Sequence, residues 1–134
     1  LYTNELWNII SLELTGDVKN VAELSKMPFI ENLTLQQGKY ENLSAISTLT
    51  NLKALNINGV TLTSDEIKII ASLPELVSLS MVRCNLSSIA DLSGATQLVH
   101  LDLIYTKPHP YTTFHYLLKT LVDFVLDFDL HLHY

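Results

Sequence analysis

The sequence predicts an α/β solenoid, with a parallel concave sheet on one side and short helical or 3-10 returns on the convex side. Three observations lead there. An apolar residue is followed three and five positions later by two more in Ile9-Leu12-Leu14, Ile30-Leu33-Leu35, Leu52-Leu55-Ile57, Leu76-Leu79-Met81, Leu98-Leu101-Leu103 and Leu121-Phe124-Leu126. These triplets return every 21 to 24 residues, and self-similarity at such a period marks a solenoid. Between them runs a second apolar series spaced by three, as in Leu43, Ile46 and Leu49 or Leu86, Ile89 and Leu92, which suits tight turns packed under a sheet.

The chain reads as one domain over 1–134, with an N-terminal cover over 1–8, regular repeats over 9–104 and a divergent last repeat or cap over 105–134. Leu1, Tyr2, Leu6 and Trp7 supply the large apolar groups of the cover, which a terminal repeat needs to shield its open face. Each triplet ends in strict alternation, the pattern of a strand with one buried face. The intervening residues must face the other way. They are Ser11, Glu13 and Thr15, then Asn32, Thr34 and Gln36, then Ala54, Asn56 and Asn58. Ser78, Ser80 and Val82 follow, then His100, Asp102 and Ile104, and last Asp123, Val125 and Asp127.

Two returns read as α-helical. Thr63 and Glu66 form a capping box ahead of Ile67, Ile69, Ile70 and Leu73, closed by Pro74. Asn20 with Glu23 predicts a similar start for Val21, Ala22 and Leu24, stopped at Met27-Pro28. After the fifth strand, Thr106 to Pro110 is a stiff non-helical bend with prolines at 108 and 110. Residues 111–120 read as a helix carrying Phe114, Leu117 and Leu118. The alternating tail from Leu126 to Tyr134 reads as a closing strand.

Composition narrows the function. The chain has 134 residues, 48% of them apolar, enough for one domain with a core. Eight Lys and Arg against fourteen Asp and Glu give a net charge of −6, which disfavours nucleic acid and anionic membranes as partners. The basic residues are scattered singly. No apolar run is long enough to span a bilayer, so no membrane insertion is expected. No signal peptide is visible, and the start at Leu1 rather than Met is expected of a processed or partial chain. Cys84 stands alone, so no internal disulfide is possible.

The triplets and returns resemble leucine-rich repeats, whose consensus is L-x-x-L-x-L-x-x-N/C-x-L. Residues 76–86 follow it through Leu76, Leu79, Met81, Cys84 and Leu86, with Met for one Leu. The period and returns such as Asn42 to Leu52 look like the subclass of bacterial internalins and eukaryotic phosphatase-regulator repeats. The resemblance covers residues 9–104 well and the rest loosely. It implies a right-handed solenoid that binds a protein partner through the concave sheet face. One departure stands out: the ladder position usually held by Asn is Asp17, Gly38, Val60, Cys84 and Thr106 here. Backbone groups at those turns therefore need water or other partners. Residues 108–127 also resemble, loosely, the helix-plus-strand caps of intracellular members.

Several constellations invite chemistry. Asp127, Asp129, His131 and His133 alternate along the tail, as strand metal ligands can, but the solvated side of a terminal strand accounts for them and no metal or cofactor is expected. His100 and Asp102 resemble part of a triad with Ser78 or Ser80. A flat sheet offers no cleft or oxyanion hole, so the acidic end reads as an electronegative part of a binding surface and the chain as no enzyme. Cys84 reads as a buried structural thiol. Trp7, Tyr2 and Phe29 read as cap and core, and Tyr105, Tyr111 and Tyr116 as anchors or packing. The expected partner-binding residues are Asn32, Thr34, Gln36, Asn56, Asn58, Ser78, Ser80, His100 and Asp102. The expected setting is extracellular or a bacterial surface, with an intracellular adaptor or regulatory subunit as the alternative. The exposed alternation of residues 126–134 could also pair edge to edge with a second copy.

Overall fold

The computed structural model describes residues 6–107 and the backbone of residues 129–133. Among them, one parallel sheet contains β1 (Ser11–Leu14), β2 (Asn32–Leu35), β3 (Ala54–Asn58), β5 (Ser78–Val82), β7 (His100–Ile104) and β8 (Asp129–His133), in that order. Two short strands, β4 (Thr61–Leu62) and β6 (Asn85–Leu86), pair in parallel as a second, smaller sheet. Periodicity alone did not announce that second sheet. It forms where the chain turns from strand to return.

The register is that of the triplets. Leu12, Leu33, Leu55, Leu79 and Leu101 make one row, and Leu14, Leu35, Ile57, Met81 and Leu103 the next. From β2 to β7 both rows are fully buried, joined from below by Ile30, Leu52, Leu76 and Leu98. In β1 they are only partly covered, since no strand lies beyond it among the described residues.

The returns close the core. η1 (Val21–Lys26), η2 (Leu43–Thr48) and η3 (Ile89–Gly94) are 3-10 helices, and α1 (Ser64–Ala71) is an α-helix. Thr63 caps α1, its hydroxyl accepting from Glu66 N at 3.3 Å. The start at Asn20 also holds, with Oδ1 accepting from Ala22 N at 2.9 Å, but it opens a 3-10 turn and not the expected α-helix. Glu23 pairs with Lys26 at 2.8 Å. α1 closes on a side chain from the next repeat: the Gln97 amide donates to Ala71 O at 3.2 Å and Leu73 O at 2.8 Å.

Asp17, Cys84 and Thr106, three of the departures at the ladder position, find hydrogen-bond partners within the chain. Asp17 Oδ1 accepts from Lys39 N at 2.8 Å. Thr106 Oγ1 donates to Met81 O at 2.6 Å and lies 3.4 Å from Cys84 N, which donates to it. The Cys84 thiol is buried and donates weakly to Ile57 O at 3.4 Å. Gly38 is required by closeness: a Cβ there would stand 2.1 Å from Gly16 O.

Two further expectations need correction. The partner of β7 is β8, with His100 opposite Asp129 and Asp102 opposite His131, and not the segment around Leu121-Phe124-Leu126. Both segments carry the Leu-x-Leu type of alternation, so spacing could not choose between them. Leu130 and Leu132 take the register places beside Leu101 and Leu103. Trp7 and Phe29 are exposed and meet edge to face, their centroids 6.0 Å apart, outside the core. Leu6 alone of the cover is buried among the described residues. The expected helix over 111–120, the bend prolines, Tyr2, Tyr111, Tyr116, Asp123 and Asp127 lie outside the described residues.

Candidate functional site

Because strands alternate and their registers are aligned, the expected partner-binding residues fall on one face, opposite the buried rows, with Gln36 one residue past β2. The first row runs Asn32, Ala54, Ser78, His100, the second Thr34, Asn56, Ser80, Asp102, and the third Gln36, Asn58, Val82, Ile104. Asn32 and Asn56 are exposed, and the others are half-buried between their neighbours. The face is small and polar at the β2–β3 end and carries charge at β7.

Hydrogen bonds between strands hold part of this surface. The Asn32 amide donates to Ser11 Oγ at 3.2 Å, and the Asn58 amide to Gln36 Oε1 at 3.4 Å. His100 Nε2 lies 3.1 Å from Asp102 Oδ2, so the two residues meet along one strand. The register sets Ser78 beside His100 and Ser80 beside Asp102. Among the described residues no group of three or more His, Cys, Asp or Glu is placed to hold a metal ion. The tail carboxylates and imidazoles considered for a metal lie outside the described side chains. Among the described residues no helix is long and apolar enough to cross a membrane.

Two rims border the face. At the strand entries stand Ile10, Glu31, Lys53, Val77 and Val99, with Lys53 Nζ 3.2 Å from Glu31 Oε1. At the exits the register, continued one residue past β3, β5 and β7, aligns Gly59, Arg83 and Tyr105. These three have φ of 68°, 52° and 53°, and Gly16 has 74° at the equivalent exit of β1. Left-handed backbone is free for glycine and costs other residues roughly 1–2 kcal/mol. Arg83 and Tyr105 bear that cost, and the Arg83 guanidinium sits over the Tyr105 ring, 5.8 Å from its centroid. The sequence offers Tyr105 as an anchor or as packing and gives Arg83 no role. The signal was there in the alignment of the repeats, where glycine serves at the same turn.

Burial raises the Cys84 thiol above its ordinary range, outweighing the backbone N–H groups that lower it. Tyr40 is raised by burial first and by the Asp17 charge second. Its hydroxyl donates to Leu14 O at 3.0 Å and also contacts Gln36 O. Grooves of about 330 and 480 Å³ lie against α1 and η3 and beside Tyr40 and Val60, respectively, and neither is lined by a nominated residue.

No family model matches the chain, and no curated protein matches it. Among solved structures, an internalin from Listeria monocytogenes is similar, with a TM-score of 0.64 and 14% identity, over 98% of this chain and 49% of that one. The chain thus spans about half the length of the internalin it matches. At that identity the likeness is one of fold: the chain has a leucine-rich-repeat-like fold.

Proposed function

We propose that this chain is a non-catalytic interaction module that binds a partner protein through its sheet face. In this reading the stack is a right-handed solenoid of the internalin subclass, and the face is its concave side. One observation carries it: eight nominated side chains from four neighbouring strands, with Gln36 just past β2, fall on a single face in aligned register. A rigid scaffold that displays polar groups over a buried core needs little ordering on binding, which lowers the cost of association. The small side chains of the β2–β3 half provide few anchors, so that half contributes shape and hydrogen bonding more than energy.

The test replaces Asn56 and Ser80 together with Arg. Both lie in the same row, so two long charged side chains would obstruct the face and leave the core untouched. Affinity capture from the native source, run in parallel with wild type and the double variant, should lose its captured protein while circular dichroism stays unchanged. Undiminished capture would move the interface elsewhere. The reading extends to a bacterial surface or secreted setting, for which a signal peptide or wall anchor on the full-length gene product is the check. A start methionine just ahead of Leu1 would favour an intracellular adaptor instead.

A further inference from the structure

We infer that Arg83 and Tyr105, with Val82 and Ile104 beside them, form the anchoring corner of the interface and take a protein segment presenting a carboxylate next to an aliphatic or aromatic side chain. The inference rests on the proposed interaction function and names the chemistry of its partner.

The corner is one contiguous piece of structure. Val82 and Ile104 are register partners on β5 and β7, and Arg83 N donates to Ile104 O at 2.8 Å. The two aliphatic side chains are half-exposed on the sheet face, Arg83 is exposed, and Tyr105 is 54% exposed. An aliphatic floor thus meets a cation and an aromatic ring in the open.

The backbone argues that these side chains are not kept for the fold. Gly16 and Gly59 make the same left-handed turn at their strand exits with no side chain. Glycine would relax the turn at 83 and 105, yet the two bulky residues stand there. Strain of this kind clusters where a site needs a particular side chain in a particular place.

The chemistry selects the partner. A guanidinium held over an aromatic ring by a cation–π contact leaves N–H groups for a bidentate carboxylate. Among the described residues Arg83 has no carboxylate within ion-pair distance, since the ion pairs found there involve Lys26, Lys53, Lys68 and His100. The cation–π contact with Tyr105 also favours one position of the long side chain before binding, which reduces the ordering cost. Arg and Tyr are, moreover, residue types enriched at the energetic centres of interfaces.

A displayed library of random linear peptides, selected on the folded wild-type chain, tests this. Enriched peptides should carry an acidic residue beside an aliphatic or aromatic one. They should bind Arg83→Gly and Tyr105→Gly at least about tenfold more weakly, the effect expected of interface anchors. Thermal midpoints of both variants should hold or rise, because the left-handed turn then carries glycine. Peptides without the acidic-apolar motif, equal binding to the glycine variants, or no enrichment would each overturn the inference. So would a clear drop in both thermal midpoints, which would assign the side chains to the fold. Binding kept by the glycine variants but lost with Asn56→Arg plus Ser80→Arg would sink this corner and leave the sheet-face reading standing. The reverse pattern would keep the corner and sink the sheet face.

Discussion

Thr106 occupies a place where the resemblance led one to expect asparagine, and a single hydroxyl there serves two backbone groups at the exit of β5. It donates to Met81 O at 2.6 Å and accepts from Cys84 N at 3.4 Å. Thr106→Val keeps the shape and leaves both backbone groups buried without that partner, a loss of about 1–3 kcal/mol; a shift in urea midpoint measures it. Burial likewise shapes the alkaline behaviour. Cys84 and Tyr40 are acids whose protonated forms the folded state favours, so their folded values lie above the ordinary 9.0 and 10.0. The unfolded chain then gives up protons first. Their contribution is complete below those ordinary values and is lost as pH climbs through the raised ones. Urea midpoints should therefore fall as pH rises above about 9, and a flat profile would show both groups to be solvated. Sequence identified which ladder residues were unusual. It could not show that Asp17 would reach Lys39 N, because the partner belongs to the neighbouring repeat.

Helical type illustrates the element scale. Both capped returns were legible as helix starts, at Asn20 and at Thr63, yet only the second became an α-helix. Length explains the difference. Six residues of 3-10 helix and eight of α-helix both span about 12 Å at their respective rises. The shorter first return covers the underside of its strand only by taking the steeper rise. The third return belongs to the longer repeat and can afford the α form, burying Ile67, Ile70 and Ala71. Thr63→Ala removes the acceptor for Glu66 N and should cost about 0.5–1 kcal/mol, near the low end for such caps because the bond is long. Thermal unfolding of the variant decides it; no change would mean water replaces the hydroxyl fully. The other end of α1 was not legible, since Gln97 closes it from a separate repeat.

Across the whole molecule, stability grows from stacking. A repeat in the middle is sheltered on both sides, whereas β1 has only β2 beside it among the described residues. Leu33, Leu35, Leu55 and Leu79 are fully buried, and Leu12 and Leu14 only partly. Neighbour-dependent stability of this kind gives graded protection. Amide hydrogen exchange should be slowest in β3 and β5 and fastest in β1. Uniform protection across the strands would show that the array opens as a single unit.

From the sequence alone follow which residues of the regular repeats point inward, the aligned register of β1, β2, β3, β5 and β7, and which polar side chains share a face. That information is local: alternation within five residues sets the face, and the repeat length sets the register. The tertiary structure decided that residues 129–133 take the place beside β7, that 3-10 turns replace one expected α-helix, and that Trp7 and Phe29 stay outside the core. It also brought Arg83 over Tyr105. Apart from the helix type, which the length of the return sets, each of these depends on contacts between residues a repeat or more apart. Such contacts exist only once neighbouring turns have stacked, so no short window of sequence carries them.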